Sequence, residues 1–135
     1  MTGKVRKGLL AAFGDKRGAT AAEFALVIPI FLAMVFGSIE LGRFMWVRSS
    51  LQTAAEAAAR CSALNAPQCG NDAATQAYAA SVAMGANVPA SVFTVTSPAC
   101  GRAVTASYDF TSITPLVPLN ATITAQACRA LKPGP

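Results

Sequence analysis

Glu23 is the residue in this chain whose placement asks for a chemical reason. It stands in the stretch GATAAEFALVIPIF, five residues after Gly18 and directly ahead of 16 uncharged residues that run to Glu40. A carboxylate carried into a bilayer costs about 2.5–3.5 kcal/mol at the centre of a helix, so it normally has a partner or a function. One helical turn back from Glu23, at i and i+4, stands Ala19, which brings no charge of its own to meet that carboxylate.

Other reactive constellations are sparse. The chain has no histidine to act as a general base, and the acids beyond the apolar run, Glu40, Glu56, Asp72 and Asp109, are scattered. There is no glycine-rich phosphate loop, no G-x-S-x-G elbow and no dinucleotide fingerprint. The chain reads as the substrate of an enzyme and not as an enzyme, and nothing in it implies a cofactor. Asn120-Ala121-Thr122 matches a glycosylation sequon, a triplet that arises often by chance.

The elements that must carry these residues follow from composition. A length of 135 residues accommodates one small domain and an anchor. Charged residues make up 13% of the chain against about 25% in ordinary soluble domains, while 53% is hydrophobic, so part of the chain faces something other than water. The formal charge of +5 is concentrated at one end. Lys4, Arg6, Lys7, Lys16 and Arg17 against Asp15 give +4 in the first 18 residues, and the remainder carries only +1. With no basic stripe and no interleaved aromatics, nucleic acid is excluded as a partner.

Ala19 to Ile39 is a run of 21 residues interrupted only by Glu23, and about 20 apolar residues span a bilayer core as a helix. The basic cluster just before it keeps the N-terminus in the cytoplasm and sends residues from about 45 onward across the membrane. Pro29 removes one helical hydrogen bond, a defect that lipid-embedded helices tolerate. Three readings compete for this segment. A plain signal anchor leaves Glu23 without a role. A secretory signal peptide fits poorly, because the apolar run exceeds the usual core of roughly 7–15 residues and the alanines that could mimic a cleavage site come only after Arg43 and Arg48.

The third reading counts from Gly18: a short basic leader ending Lys16-Arg17-Gly18, a small residue at Ala19, then Glu23 directly ahead of Phe24 and the apolar run. This resembles the cleavage site of type IV prepilins, in which a peptidase cuts after a glycine and leaves a glutamate at the fifth mature position. With IELGR and an alanine-rich helix ending AAARC, residues 14 to 60 resemble the TadE-like family of minor pilins, or pseudopilins, of tight-adherence pili. The resemblance implies processing at Gly18 and Ala19 and a role for Ala19 and Glu23 in setting subunit register. It further implies four sets of partners: a prepilin peptidase, the major pilin, other minor pilins and the inner-membrane assembly machinery. The location it implies is the inner membrane, with the C-terminal domain periplasmic or carried into the pilus. The runner-up is an uncut single-span envelope protein whose exported domain binds a partner or the cell wall.

Beyond the membrane, Phe44, Val47, Leu51, Ala54, Ala58 and Cys61 recur at spacings of three and four and draw one apolar stripe along a continuing helix. Packing on the chain's own globular part is preferred to packing on another subunit. Glu40 with Arg43 and Glu56 with Arg60 are expected to pair on a solvated face. A loop over Ser62–Gly70 leads to Asn71, which caps a second helix with Ala74, Tyr78 and Val82 on its apolar side and Gly85 at its end. Alternation then predicts three strands, around Phe93 and Val95, around Val104 to Phe110, and around Ala121 to Ala127. Thr111–Asn120, with Pro115 and Pro118, reads as a loop.

Cys61, Cys69, Cys100 and Cys128 all fall on the side predicted to be oxidising, so disulfides are expected and a metal site is not. Antiparallel pairing of the second and third strands would set Arg102 near Arg129 and bring Cys100 towards Cys128. Of three connectivities, Cys61 with Cys69 and Cys100 with Cys128 is therefore preferred. The expected fold is α+β: a long N-terminal transmembrane helix continuing into a small domain of a second helix packed on a three-stranded antiparallel meander. Its parts are a leader over residues 1–18, a transmembrane helix over 19–42 and an exported domain over 43–135.

Overall fold

The computed structural model describes residues 16–115 and 118–133, so all of the leader but its last three residues lies outside the described residues. Helix α1 covers Lys16–Ala63, with Pro29 inside it. Two compact units divide the chain, Met1–Ile39 and Glu40–Pro135.

In the first unit the described residues are all helical, and from Thr20 to Phe36 every side chain is exposed, including Phe24, Leu26, Ile30, Phe31 and Met34. A helix apolar on all sides with nothing packed on it suits lipid. At 1.5 Å per residue the 16 uncharged residues give about 24 Å, short of the roughly 30 Å hydrocarbon core. Starting at Ala19 instead gives about 31 Å, so a full span takes Glu23 inside it. Ser38 donates its hydroxyl to Met34 O at 2.8 Å, which satisfies the one polar side chain near the end of the run.

In the second unit α1 continues from Glu40 to Ala63, followed by a 3₁₀ turn at Pro67–Cys69, helix α2 at Asp72–Val82, and strands β1 (Phe93–Thr96), β2 (Arg102–Phe110) and β3 (Ala121–Arg129). The sheet is antiparallel in the order β1-β2-β3. Its register pairs Phe93 with Ala106 and Arg102 with Arg129. The α+β meander expected from alternation is the one found.

The stripe on α1 packs into the domain's own core: Leu51, Ala54, Ala58 and Cys61 are buried, and Phe44 and Val47 pack at the edge. Ala55 and Ala59 are also fully buried, so the buried face is wider than the stripe. Alanine at these places lets the backbones approach, and Leu51 and Phe93 supply the bulk.

Helix α2 starts where Asn71 accepts a hydrogen bond from Ala74 N at 2.8 Å. Its buried line is Thr75, Ala79 and Ala83, with Tyr78 and Val82 flanking it. The expected side of Ala74, Tyr78 and Val82 is thus rotated by one position. A threonine can lead the buried line because its hydroxyl donates to Asn71 O at 2.9 Å.

Gly101 closes the turn before β2 at φ +124°, and a Cβ there would stand 2.2 Å from Arg129 O. Gly101→Ala is expected to lower unfolding free energy by at least about 1–3 kcal/mol from backbone conformation alone. Phe93→Ala, which empties a fully buried site, should cost about 3–5 kcal/mol. Denaturant titration of the detergent-solubilised chain, followed by circular dichroism, reads both.

Candidate functional site

The residues singled out for processing and register lie in the first unit. Gly18, Ala19 and Glu23 are all within α1, with Ala19 and Glu23 one turn apart. Gly18 and Glu23 are exposed, and among the described residues no hydrogen bond reaches the Glu23 carboxylate. A carboxylate so placed is open to a partner outside its own helix.

The cysteines belong to the second unit and form two disulfides. Cys61–Cys69 closes the connection between α1 and α2, with Cα atoms 5.9 Å apart, and Cys100–Cys128 joins the start of β2 to the end of β3 at 6.4 Å. The second follows from the register, which sets Ala103 opposite Cys128. A small domain gains about 2–4 kcal/mol from each such bridge.

Glu40 departs from expectation. The sequence predicts it on a solvated face paired with Arg43; instead it is 2% exposed. Its Oε1 accepts from the backbone N–H of Ile113 at 3.0 Å, from Thr114 N–H at 3.0 Å and from the Thr114 hydroxyl at 2.9 Å, while Oε2 accepts from Arg43 Nη1 at 2.8 Å. An ionised carboxylate is an acceptor on all sides, and every donor here is matched to it. The segment after β2 folds over Glu40, which is why the acid is sealed from water. Arg43 pairs as expected and also lies 5.2 Å from the ring centroid of Phe110, which meets Phe44 edge-on at 5.5 Å. One helical turn thereby grips the end of β2 and the loop beyond it.

The second expected pair is absent among the described residues. Glu56 accepts from Gln52 Nε2 at 2.9 Å, one turn back, and makes no ion pair with Arg60, one turn on. A further tie went unforeseen: Arg102 donates to Ser62 Oγ at 2.8 Å and Ser97 Oγ at 2.7 Å and forms a salt bridge with Asp72. It joins α1, α2 and the β1–β2 turn. The buried Ser62 and Arg102 are 40 positions apart in the chain, so their proximity leaves no local pattern. For Glu40 a weak signal did exist, an acid closing an apolar run in IELGR, with the hydroxyl-rich TSIT far downstream.

An open groove of about 590 Å³ lies beside this node, lined by Arg43, Trp46, Gly85, Tyr108 and Ile113 among others. It holds no pair of titratable groups suited to proton transfer.

Among the described residues one helix is long and apolar enough to cross a membrane, and it leads into a small disulfide-bonded α+β domain, a build that fits a single-pass anchor. Residues 18–60 match the profile of the TadE-like protein family, a stretch that begins at Gly18 and takes in Glu23, Glu40 and Arg43. The chain is similar to that family over residues 18–60, most of its long helix, while residues 61–135 lie beyond the match. No curated protein and no solved structure matches the chain.

Glu40→Ala removes the acceptor for two backbone amides, each worth about 1–3 kcal/mol when left unpaired. Hydrogen exchange at Ile113 and Thr114 is expected to accelerate at least tenfold in this variant. Glu40→Gln keeps an oxygen for those donors and loses the Arg43 pair, so its exchange should change far less.

Proposed function

We propose that this chain is a minor pilin, or pseudopilin, of a tight-adherence pilus, made as a precursor and cut after Gly18. The observation that carries the reading is that the TadE-like match starts at Gly18, the residue from which Ala19 and Glu23 fall at the spacing a cut would make useful. Cleavage converts an amide into an ammonium group one turn from Glu23, and an acid otherwise costly in lipid then gains a partner.

In an assembly the same carboxylate can accept a neighbouring copy's N-terminus, which would set the axial register between subunits. Exposure of Glu23 on its helix agrees with such a partner. The role is structural and not catalytic: the chain is acted on by a peptidase and then takes part in pilus assembly and surface adhesion through other pilins. The basic leader, cytoplasmic in this reading, and the two disulfides, placed in an oxidising periplasm, agree with one orientation across the inner membrane.

Intact mass and N-terminal sequencing of the membrane-extracted protein, made with and without its host's prepilin peptidase, test the cut. The expected mature chain starts at Ala19 and only when the peptidase is present; an intact Met1 or Thr2 start in both strains would leave an uncut envelope anchor. Glu23→Gln should leave cleavage unchanged. It is expected to lower recovery of the subunit in sheared pilus fractions about tenfold, the change that about 1.4 kcal/mol makes in an equilibrium constant.

A further inference from the structure

In the domain that begins at Glu40, the exposed large apolar side chains are not scattered. Leu41, Met45 and Trp46 stand on the first turns of α1 within this unit, and Met84 (77% exposed) and Ile113 (75%) come from two separate loops. Trp46, itself 63% exposed, links them. It lines one groove with Ile113 and another with Met84, whose carbonyl accepts from Ser50 Oγ at 3.1 Å. Along α1 from Val47 to Ala63 no large apolar side chain is exposed. The apolar surface therefore gathers at the end of the domain where the chain enters it, as a partial collar centred on Trp46 on the side of the helix away from Glu40 and Phe44.

Two loops are held in place to present that collar. Glu40 fixes Ile113 by its backbone N–H, so the side chain is offered outward at a set position. Gly85, at φ +77°, turns the chain just after Met84 and lets it pass Trp46, whose Nε1 would be 3.0 Å from a Cβ at that site. Arg48 follows Trp46 by two residues, is exposed and has no ion pair among the described residues.

We propose that this collar seats the domain on the outer surface of the lipid bilayer, with Trp46, Met84 and Ile113 in the interfacial layer and Arg48 at the level of the lipid phosphates. The proposal rests on the anchor reading of α1 and is independent of leader cleavage. Lipid is favoured as occupant because Leu41, Met45 and Trp46 follow the apolar run ending at Ile39 within seven residues of sequence, and Glu40, the acid between them, is buried in the domain. Trp46 follows Ile39 by seven residues, about 10 Å of helix against a headgroup layer of about 5–7.5 Å on each side, and a helical side chain leans back towards the N-terminus, into that layer. Tryptophan is enriched at that depth, and exposed apolar groups with adjacent arginine bind such interfaces. The other end of the domain, where Leu64 and Leu131 stand among Arg60, Arg129 and Lys132, differs in position: Arg60 lies 14 residues of α1 beyond Trp46, about 21 Å farther along the helix.

The chain has a single tryptophan, so the probe can be moved. Full-length protein carrying Trp46→Phe is given either Ile113→Trp or Leu131→Trp, both at exposed positions, and is reconstituted into phosphatidylcholine and phosphatidylglycerol vesicles. Lipids brominated high or low on the acyl chain serve as quenchers. Expected is strong quenching of Ile113→Trp by the shallow bromines, at least twofold above the deep ones, with Leu131→Trp unquenched. Equal, weak quenching of both probes in protein that floats with vesicles and resists carbonate extraction would overturn the docking while leaving the anchor intact. A blue-shifted, unquenched Ile113→Trp whose shift grows with the protein-to-lipid ratio would assign the collar to another copy of the chain and likewise overturn it. Protein released by carbonate would overturn the anchor reading and the docking with it.

Discussion

A carboxylate cut off from water must be met by donors, and at Glu40 four meet it, three of them from the two residues Ile113 and Thr114. Those residues directly follow β2, so the contact fixes the end of the sheet's central strand against one turn of α1. Phe110 then falls on Phe44 and under Arg43, and the β2 face carrying Val104 and Ala106 turns towards the alanines of the helix. At the other end of β2, Arg102 reaches Ser62 and Asp72. The strand is held to α1 at both ends by charge-assisted hydrogen bonds, and the alanine-rich interface between them is positioned by those ends as much as by its own bulk.

That division of labour follows from composition. A core built of alanines buries little area per residue, about 25 cal/mol for each Å², so bulk alone specifies it weakly. Leu51 and Phe93 are the largest apolar side chains that are fully buried in it. Two disulfides supply the rest of the constraint, one across the α1–α2 connection and one across the β2–β3 pair, where they reduce the freedom of the unfolded chain. Buried polar groups in this arrangement are all partnered among the described residues, Thr75 and Ser62 included.

The single helix α1 serves two environments in turn. Up to Ile39 its side chains suit lipid on every face, with Glu23 as the one acid. After Glu40 it presents one face to a protein core. A proposed minor pilin needs both: a segment that resides in a membrane and can later pack among other helices, and a domain that stays folded outside it. The apolar collar on the domain adds a surface that a membrane can hold before assembly.

Much of this was written in local pattern. Periodicity of 3.6 on α1 and of 2 in the strands identified the elements, because each has one face that must leave water. Antiparallel pairing of the last two strands, assumed from the sequence, made Cys100 with Cys128 the preferred pairing of three, and the structure supplied the register and the bond. The spacing from Gly18 to Glu23 is likewise local, and the cut it suggests belongs to the proposed function. The sequence also placed the α1 stripe correctly on its own domain, while it set the α2 face one position away, since a buried Thr75 looks polar until its hydroxyl is seen to bond Asn71 O.

Tertiary structure alone decided the rest. Glu40 and Arg43 look like any exposed i, i+3 pair. Burial of that pair depends on a loop 73 residues away whose backbone amides carry no residue-type signature. The same holds for Arg102 and Ser62, and for the gathering of Trp46, Met84 and Ile113 into one surface. Local sequence determines what a segment prefers, through dihedral preference and hydrophobic period. Which segments meet is a property of the whole packed chain, and there a single buried acid and two loops were enough to place the charge and the apolar collar of this protein.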